Sequence, residues 1–341
     1  MTARLPDEVL PFEHHQTAHC ESGVVSALLR ERNAPLSEAM VFGIASGLTF
    51  AYLPFVKLGG LPLISYRMPP RSILRGVSKR LGVTMHHETF KSPDDGMRAL
   101  DAHLADGRVV GLQTSVYWLP YFPPDMRFQF NGHNLIAYAR QGNDYLLSDP
   151  VFETVVTCPA DDLRRARFAK GVFAPKGLIY YPAEVNHQPD LMGAVRDAIR
   201  TTAQRMLKVP LPFFGIRGIR YLSRSVLHWP RKHGDAQALV WVGSVIRMQE
   251  EIGTGGAGFR FMYAAFLLEA ADILGLPALK DVSNELTLTG DLWREFALAG
   301  ALLCKGRASG PAAYAKLSTL LTQCAEREAT IYRQLLQIVA K

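Results

Sequence analysis

The sequence predicts an α+β N-terminal domain built on an antiparallel sheet, followed by an all-α domain. Three observations carry this. Apolar alternation of period two marks RVVGLQTSVYWL, NLIAYARQ, DYLLSDP and GLIYYP in the first 182 residues. From residue 190 onward the signal is helical throughout. A chain of 341 residues also exceeds what one core comfortably holds. The expected division is 1–183 and 184–341, with the boundary in YPAEVNHQPD at 181–190.

Taken in order, Val24/Leu28 and Val25/Leu29 space a helix over 22–32, and Ser37 is an N-cap for a second beginning EAMVFG. The run VFGIASGLTFAYLPF is interrupted by Gly43, Gly47 and Pro54, too short for a bilayer, and reads as buried core. Residues 72–82 and 94–105 are helical in pattern, and a basic helix separates the last two strands. Helices are expected at 190–207, 216–228, 236–250, 259–274, 281–303 and 311–340.

Composition excludes several classes. Four scattered cysteines with no C-x-x-C pair rule out a disulfide scaffold and a cysteine-based structural zinc site. The opening MTARLPDEVLPFEHH lacks an apolar h-region, so a reducing cytoplasm is the expected location. The formal charge of +7 favours acidic partners. Arg71, Arg75 and Lys79 recur every fourth residue and form one helix face, with Arg67 just before it. That face is either simply solvated or docks an acidic surface. No nucleic-acid-binding motif accompanies the charge, so nucleic acid is not an expected partner.

Chemistry concentrates in two places. HCESG at 19–23 sets Cys20 at the mouth of the first helix, where the positive dipole end favours a thiolate. Gln16 could add a side-chain donor to an oxyanion there, and Glu21 could cap the helix or orient an amine. In GHNLIAYARQGNDYLLSDP, a hairpin folded about residue 141 brings His133 opposite Asp149. A histidine held by a carboxylate is the base-plus-orienter half of a triad. Cys20, His133 and Asp149 follow the chain order of papain-like cysteine enzymes. Each also has a plain structural alternative: a buried thiol, or a hydrogen-bonded hairpin pair. His14, His15, His19 and Cys20 carry metal-ligand chemistry, but the triad accounts for Cys20 without an ion, so no metal and no cofactor are expected.

HCESG, LSEAMVFG (36–43), YWLPY (117–121), GHNLIAYA and LSDP together resemble the N-terminal domain of the butirosin biosynthesis BtrH family. EEIGTGGAGFRFMYAAFLLEAA (250–271) resembles the helical domain that commonly follows it. The resemblance implies a papain-like fold related to C39-type peptidases. It further implies transfer of an acyl group from an acyl carrier protein (or coenzyme A) to a small-molecule amine, with Cys20 as acyl acceptor, His133 as base and Asp149 as orienter. On this reading Arg71, Arg75 and Lys79 would dock the carrier. Tyr121, with Trp118 and Phe122, suits an acyl chain or a core. The glycine-rich 253–258 loop with Arg260 and Tyr263 would approach a ligand or another domain, or simply join two helices. Its G-x-G-x-x-G spacing is not a dinucleotide fingerprint, because a helix precedes it. A hydrolase using the same triad, or a binding module on an inactive scaffold, remain the rival functions; self-association is possible in any of them.

Overall fold

The computed structural model describes residues 12–340. Most of the N-terminal stretch read for a targeting signal therefore lies outside the described residues. The chain opens with α1 (Cys20–Arg30) and α2 (Glu38–Ile44), then a hairpin of β1 (Leu48–Leu58) and β2 (Leu61–Arg67). It continues through α3 (Ser72–Leu81), β3 (Thr84–Glu88), α4 (Pro93–Ala105) and β4 (Val110–Thr114). Next come β5 (His133–Gln141), β6 (Asp144–Ser148), β7 (Val156–Pro159), α5 (Ala160–Arg167) and β8 (Ile179–Glu184). Seven helices complete the described residues: α6 (Leu191–Lys208), α7 (Gly215–Val226), α8 (Trp229–His233), α9 (Asp235–Glu250), α10 (Arg260–Leu274), α11 (Ala278–Cys304) and α12 (Gly310–Ala340). None of the described helices is long and apolar enough to cross a membrane.

The fold is α+β with antiparallel sheets, and the residues divide into two compact units. The first comprises the described residues up to Val41 together with Val77–Pro189. Its six-stranded sheet has the order β3-β8-β4-β5-β6-β7, every neighbouring pair antiparallel. Alternate residues of these strands, among them Val110, Leu112, Leu135, Ala137 and Leu147, are buried with Leu100 of α4 and Leu163 of α5. Burying one face of such strands is what their period-two pattern encodes. Helix α4 starts where Ser92 accepts the Asp95 amide, with Pro93 in the first turn and Asp94 and Asp95 toward the positive dipole end.

The second unit comprises Phe42–Gly76 and Asp190 to the end of the described chain. From Asp190 on it is helical, apart from a single bridge of Phe214 to Ala51. Asp190 caps α6 by accepting the Gly193 amide at 2.8 Å. The β1–β2 hairpin packs on α7 and α9 within this unit. Its two-residue turn, Gly59-Gly60, has φ of +58° and +83°, the geometry of a type I′ turn that glycine alone adopts cheaply. The unit is thus discontinuous in sequence: a strand pair lies between the two segments of the first unit.

At the centre of the helical unit Arg260, with no exposed surface, forms a two-point ion pair with Glu328. Nε lies 2.9 Å from Oε1 and Nη2 3.1 Å from Oε2, and Nη1 donates to the Gly258 carbonyl at 2.8 Å. The Trp293 indole N–H donates to the same Glu328 Oε1 at 2.6 Å. Arg260 also lies over the Tyr66 and Trp293 rings. Gly258 has φ of +56°, and a Cβ there would sit 2.3 Å from the Tyr66 ring. The glycine-rich loop follows helix α9 and brings its backbone against this ring. Gly258 thus serves packing inside the unit.

Candidate active site

Cys20 is the first residue of α1, and His19 is its N-cap: His19 Nδ1 accepts the Ser22 amide at 3.3 Å. Glu21 is buried in the first turn and Arg30 lies in the last, so both charges oppose the helix dipole favourably. The segment entering α1 is held from two sides. Glu38, in the first turn of α2, accepts the Ala18 amide (3.0 Å), the His19 amide (2.7 Å) and the Ser22 hydroxyl (3.0 Å). Burial pushes the Glu38 carboxyl up from its ordinary value, while those donors pull it back down. On the other side the Thr17 amide donates to the Pro150 carbonyl at 2.7 Å.

That second contact explains Gly23. A Cβ on Gly23 would stand 1.9 Å from Thr17 Oγ1 and 3.0 Å from Pro150 Cβ. Glycine in the helix therefore lets the segment carrying Thr17 and the turn after Asp149 lie against α1. Gly23→Ala is expected to destabilise the fold by about 1–3 kcal/mol through overpacking. It should lower any Cys20-dependent activity at temperatures where the chain is still folded. Thermal unfolding and turnover measured on one preparation check both.

His133 opens β5 and Asp149 follows the last residue of β6. His133 Nε2 donates to Asp149 Oδ2 at 2.7 Å, and the imidazole also hydrogen-bonds the Cys20 side chain. With Nε2 engaged by Asp149, Nδ1 is the nitrogen left for the sulfur. Three side chains from α1, β5 and the turn after β6 are thus in series. The expected hairpin register is wrong in detail. Gln141 pairs with Asp144 and an irregularity follows between Ala137 and Ala139, so residues 133 and 149 are not cross-strand partners. They meet because the chain leaves the sheet after Ser148 and turns, Phe152 N donating to Asp149 O at 3.1 Å.

The pair is sealed from water. His133 is 4% exposed and Asp149 not at all. Phe122 stands edge-on to the His133 ring, and Phe152 packs on both Phe122 and Tyr121. Tyr121 donates its hydroxyl to Asp149 Oδ2 at 2.8 Å, and the Val151 amide reaches Oδ1 at 3.2 Å. Burial and the neighbouring carboxylate push the Tyr121 hydroxyl well up, so it stays a neutral donor. Burial alone would lower the His133 pKa. The Asp149 charge and hydrogen bond, with the Cys20 contact, outweigh it and raise His133 to about 10. The imidazolium is therefore the favoured form at neutral pH, beside a thiol at a helix N-terminus. Burial pushes Cys158 to about 12 and raises Cys304 and Cys324.

The remaining expected site residues separate. Gln16 is exposed, and its amide donates to the Val151 carbonyl at 3.4 Å. Tyr121 contacts Asp149 and so belongs behind the histidine; an oxyanion contact is not its place. Arg260 and Tyr263 are fully buried in the helical unit, where Arg260 is occupied by Glu328, so neither is a surface for a ligand. Helix α3 begins at Ser72, which leaves Arg71 just before it at φ +70°; Arg75 and Lys79 are exposed on the helix. Trp118 is part-exposed beneath Arg165, while Phe122 is buried. The histidines near Cys20 do not form a metal cluster among the described residues. His14 binds Ser148 Oγ and the Phe152 carbonyl, His15 binds Glu13, and His19 caps α1. Glu38 was not anticipated: in sequence it is only a first-turn acid of α2, and its partners lie some twenty residues earlier.

Two family profiles match the chain. "Butirosin biosynthesis protein H, N-terminal" matches residues 19–150, which begin at the His19 cap and end just after Asp149. "Domain of unknown function (DUF4872)" matches residues 161–335, just over half of the 341 residues. Among solved structures, a crystal structure described as that of a C39-like peptidase from Bacillus anthracis is 13% identical. It covers 52% of this chain and 96% of its own, with a TM-score of 0.37. No curated protein matches the sequence. The chain belongs to the family that carries the DUF4872 domain, here preceded by a BtrH-type N-terminal domain.

Proposed function

We propose that the chain is a papain-like cysteine acyltransferase that moves an acyl group from a thioester donor to an amine through an acyl-Cys20 intermediate. The observation that carries this reading is the series Cys20–His133–Asp149, with the cysteine at a helix N-terminus and the imidazole hydrogen-bonded to a buried carboxylate. The match to a domain named for butirosin biosynthesis favours a small-molecule biosynthetic role.

In the proposed cycle the Cys20 thiolate attacks the donor carbonyl. The carrier thiolate leaves and takes a proton from His133 Nδ1, giving acyl-Cys20 and neutral imidazole. An amine then attacks the thioester, His133 accepts the amine proton, and the Cys20 thiolate departs, restoring the starting ion pair. Asp149 holds the ring in position throughout, and Tyr121 fixes the carboxylate that holds it. The positive end of α1 stabilises negative charge at the sulfur and at the carbonyl oxygen. Exchange of one thioester for another is nearly balanced in energy, so positioning supplies most of the first step.

Discharge of pre-formed acyl-Cys20 tests transfer against hydrolysis. An amine panel should discharge the adduct to amides faster than buffer discharges it to the free acid. Equal loss in buffer alone would make the chain a thioesterase and overturn the transferase reading.

An acidic carrier protein is the proposed donor, docked through Arg71, Arg75 and Lys79. Reversing all three to glutamate should raise KM for a carrier-linked donor about tenfold while leaving that for a short uncharged thioester unchanged. An equal effect on both donors would remove the docking role.

A further inference from the structure

We propose that His86, Glu88 and His103 form a binding site for a borderline divalent metal ion, zinc foremost, separate from the Cys20 site. His86 and Glu88 are two residues apart on β3 and so share one face of this edge strand; His103 comes from the last turn of α4. One ligand atom from each lies within 4.8 Å of the others. Glu88 Oε1 is 2.6 Å from His103 Nε2 and 3.8 Å from His86 Nε2. Ligand atoms about 2.0–2.2 Å from a tetrahedral zinc stand about 3.4 Å apart, between these two separations. Two imidazoles and a carboxylate are a donor set suited to such an ion.

A second observation points the same way. His86 Nε2 is buried and has no hydrogen-bond partner, although it faces the Glu88 carboxylate. Its ring is stacked on Tyr181 at 4.7 Å, which fixes where that nitrogen points. A buried nitrogen held without a partner is costly unless something occupies the gap. The side chains of His86 and Glu88 are 40% and 30% exposed, so an ion can enter and keep a water as its fourth ligand.

The neighbouring arginine gives the site a competitor. Arg108 Nη1 lies 2.6 Å from His103 Nδ1. Guanidinium only donates, so Nδ1 accepts and the ring proton sits on Nε2, where it donates to Glu88. Metal at Nε2 requires the proton to move to Nδ1, which breaks the Arg108 contact. Arg108 then retains its place over the Tyr181 ring. The ion would clip the edge strand β3 to α4 in exchange for the arginine bond.

The test uses the tag-free, full-length Cys20→Ala chain, so that the Cys20 thiol cannot supply the ligand. Zinc is titrated against a chromophoric chelator, and thermal unfolding is followed with and without zinc. One ion per chain is expected, with a higher unfolding midpoint. His86→Ala and His103→Ala should each weaken binding at least tenfold, equivalent to about 1.4 kcal/mol. Glu88→Gln, which keeps the side-chain shape, should weaken it as well. Arg108→Gln should bind zinc more tightly than its parent. Absence of binding, or binding as tight in both histidine variants as in the parent, would overturn the site. Weaker binding by Arg108→Gln would overturn the competition.

Discussion

Asp149→Ala is expected to lower thioester-dependent turnover on the order of 10²–10⁴-fold while leaving Cys20 in place. The Asp149 carboxylate supplies the charge and the hydrogen bond that raise His133 to about 10. Without it, burial works unopposed by that carboxylate, and the imidazole is neither charged nor aimed. Asp149→Asn separates these two contributions, because its amide oxygen still accepts from Nε2 but carries no charge. It should retain more activity than Asp149→Ala, with the alkaline limb of its pH profile shifted to lower pH. The sign follows from linkage. The pKa of His133 is raised above its unfolded value of about 6.5, so its stabilisation is full below that value and is lost as pH rises through about 10. Steps needing the imidazolium should therefore fail near that pH in the native chain and earlier in Asp149→Asn. Identical alkaline limbs would mean that Asp149 acts on His133 by position alone.

Glu328→Ala is expected to destabilise the chain by about 3–5 kcal/mol, because it leaves the Arg260 guanidinium buried without a counter-charge. The same change strips the Trp293 N–H of its acceptor. Thermal or urea unfolding followed by far-ultraviolet circular dichroism measures it. The double variant Arg260→Met/Glu328→Met should recover most of the loss, since removing both charges also removes their desolvation penalty. A single variant as stable as the parent would show that water reaches the arginine.

How far these features could be read in the sequence varies with their range. Cys20 was legible because its setting is local: a cap, an acid and a helix start within four residues. His133 and Asp149 were legible as a hairpin pair, yet for an imperfect reason. The hairpin turns between Gly142 and Asn143 instead of at Gln141, which changes the register, and the turn of the chain after Ser148 then restores the contact. The run VFGIASGLTFAYLPF, which leads into β1, reads as buried core, although Gly59-Gly60 just beyond it is a strong turn signal. Pro54 interrupts that run, but in a two-stranded sheet both strands are edges and tolerate proline. Arg260 is left open by the glycine-rich loop to three readings: near a ligand, near another domain, or in a plain helix connection. Its true partner, Glu328, is 68 residues away, and no periodicity reports a contact of that range. Glu38 and Gly23 were illegible for the same reason.

The most direct test of the central claim is the intact mass of the chain after incubation with acyl thioesters, carrier-linked and free, beside Cys20→Ala. A single acyl-sized increase on the native chain, absent from the variant, is the predicted result. An adduct of equal yield on Cys20→Ala, or thioester turnover that survives that substitution, would contradict the assignment of Cys20 as the nucleophile.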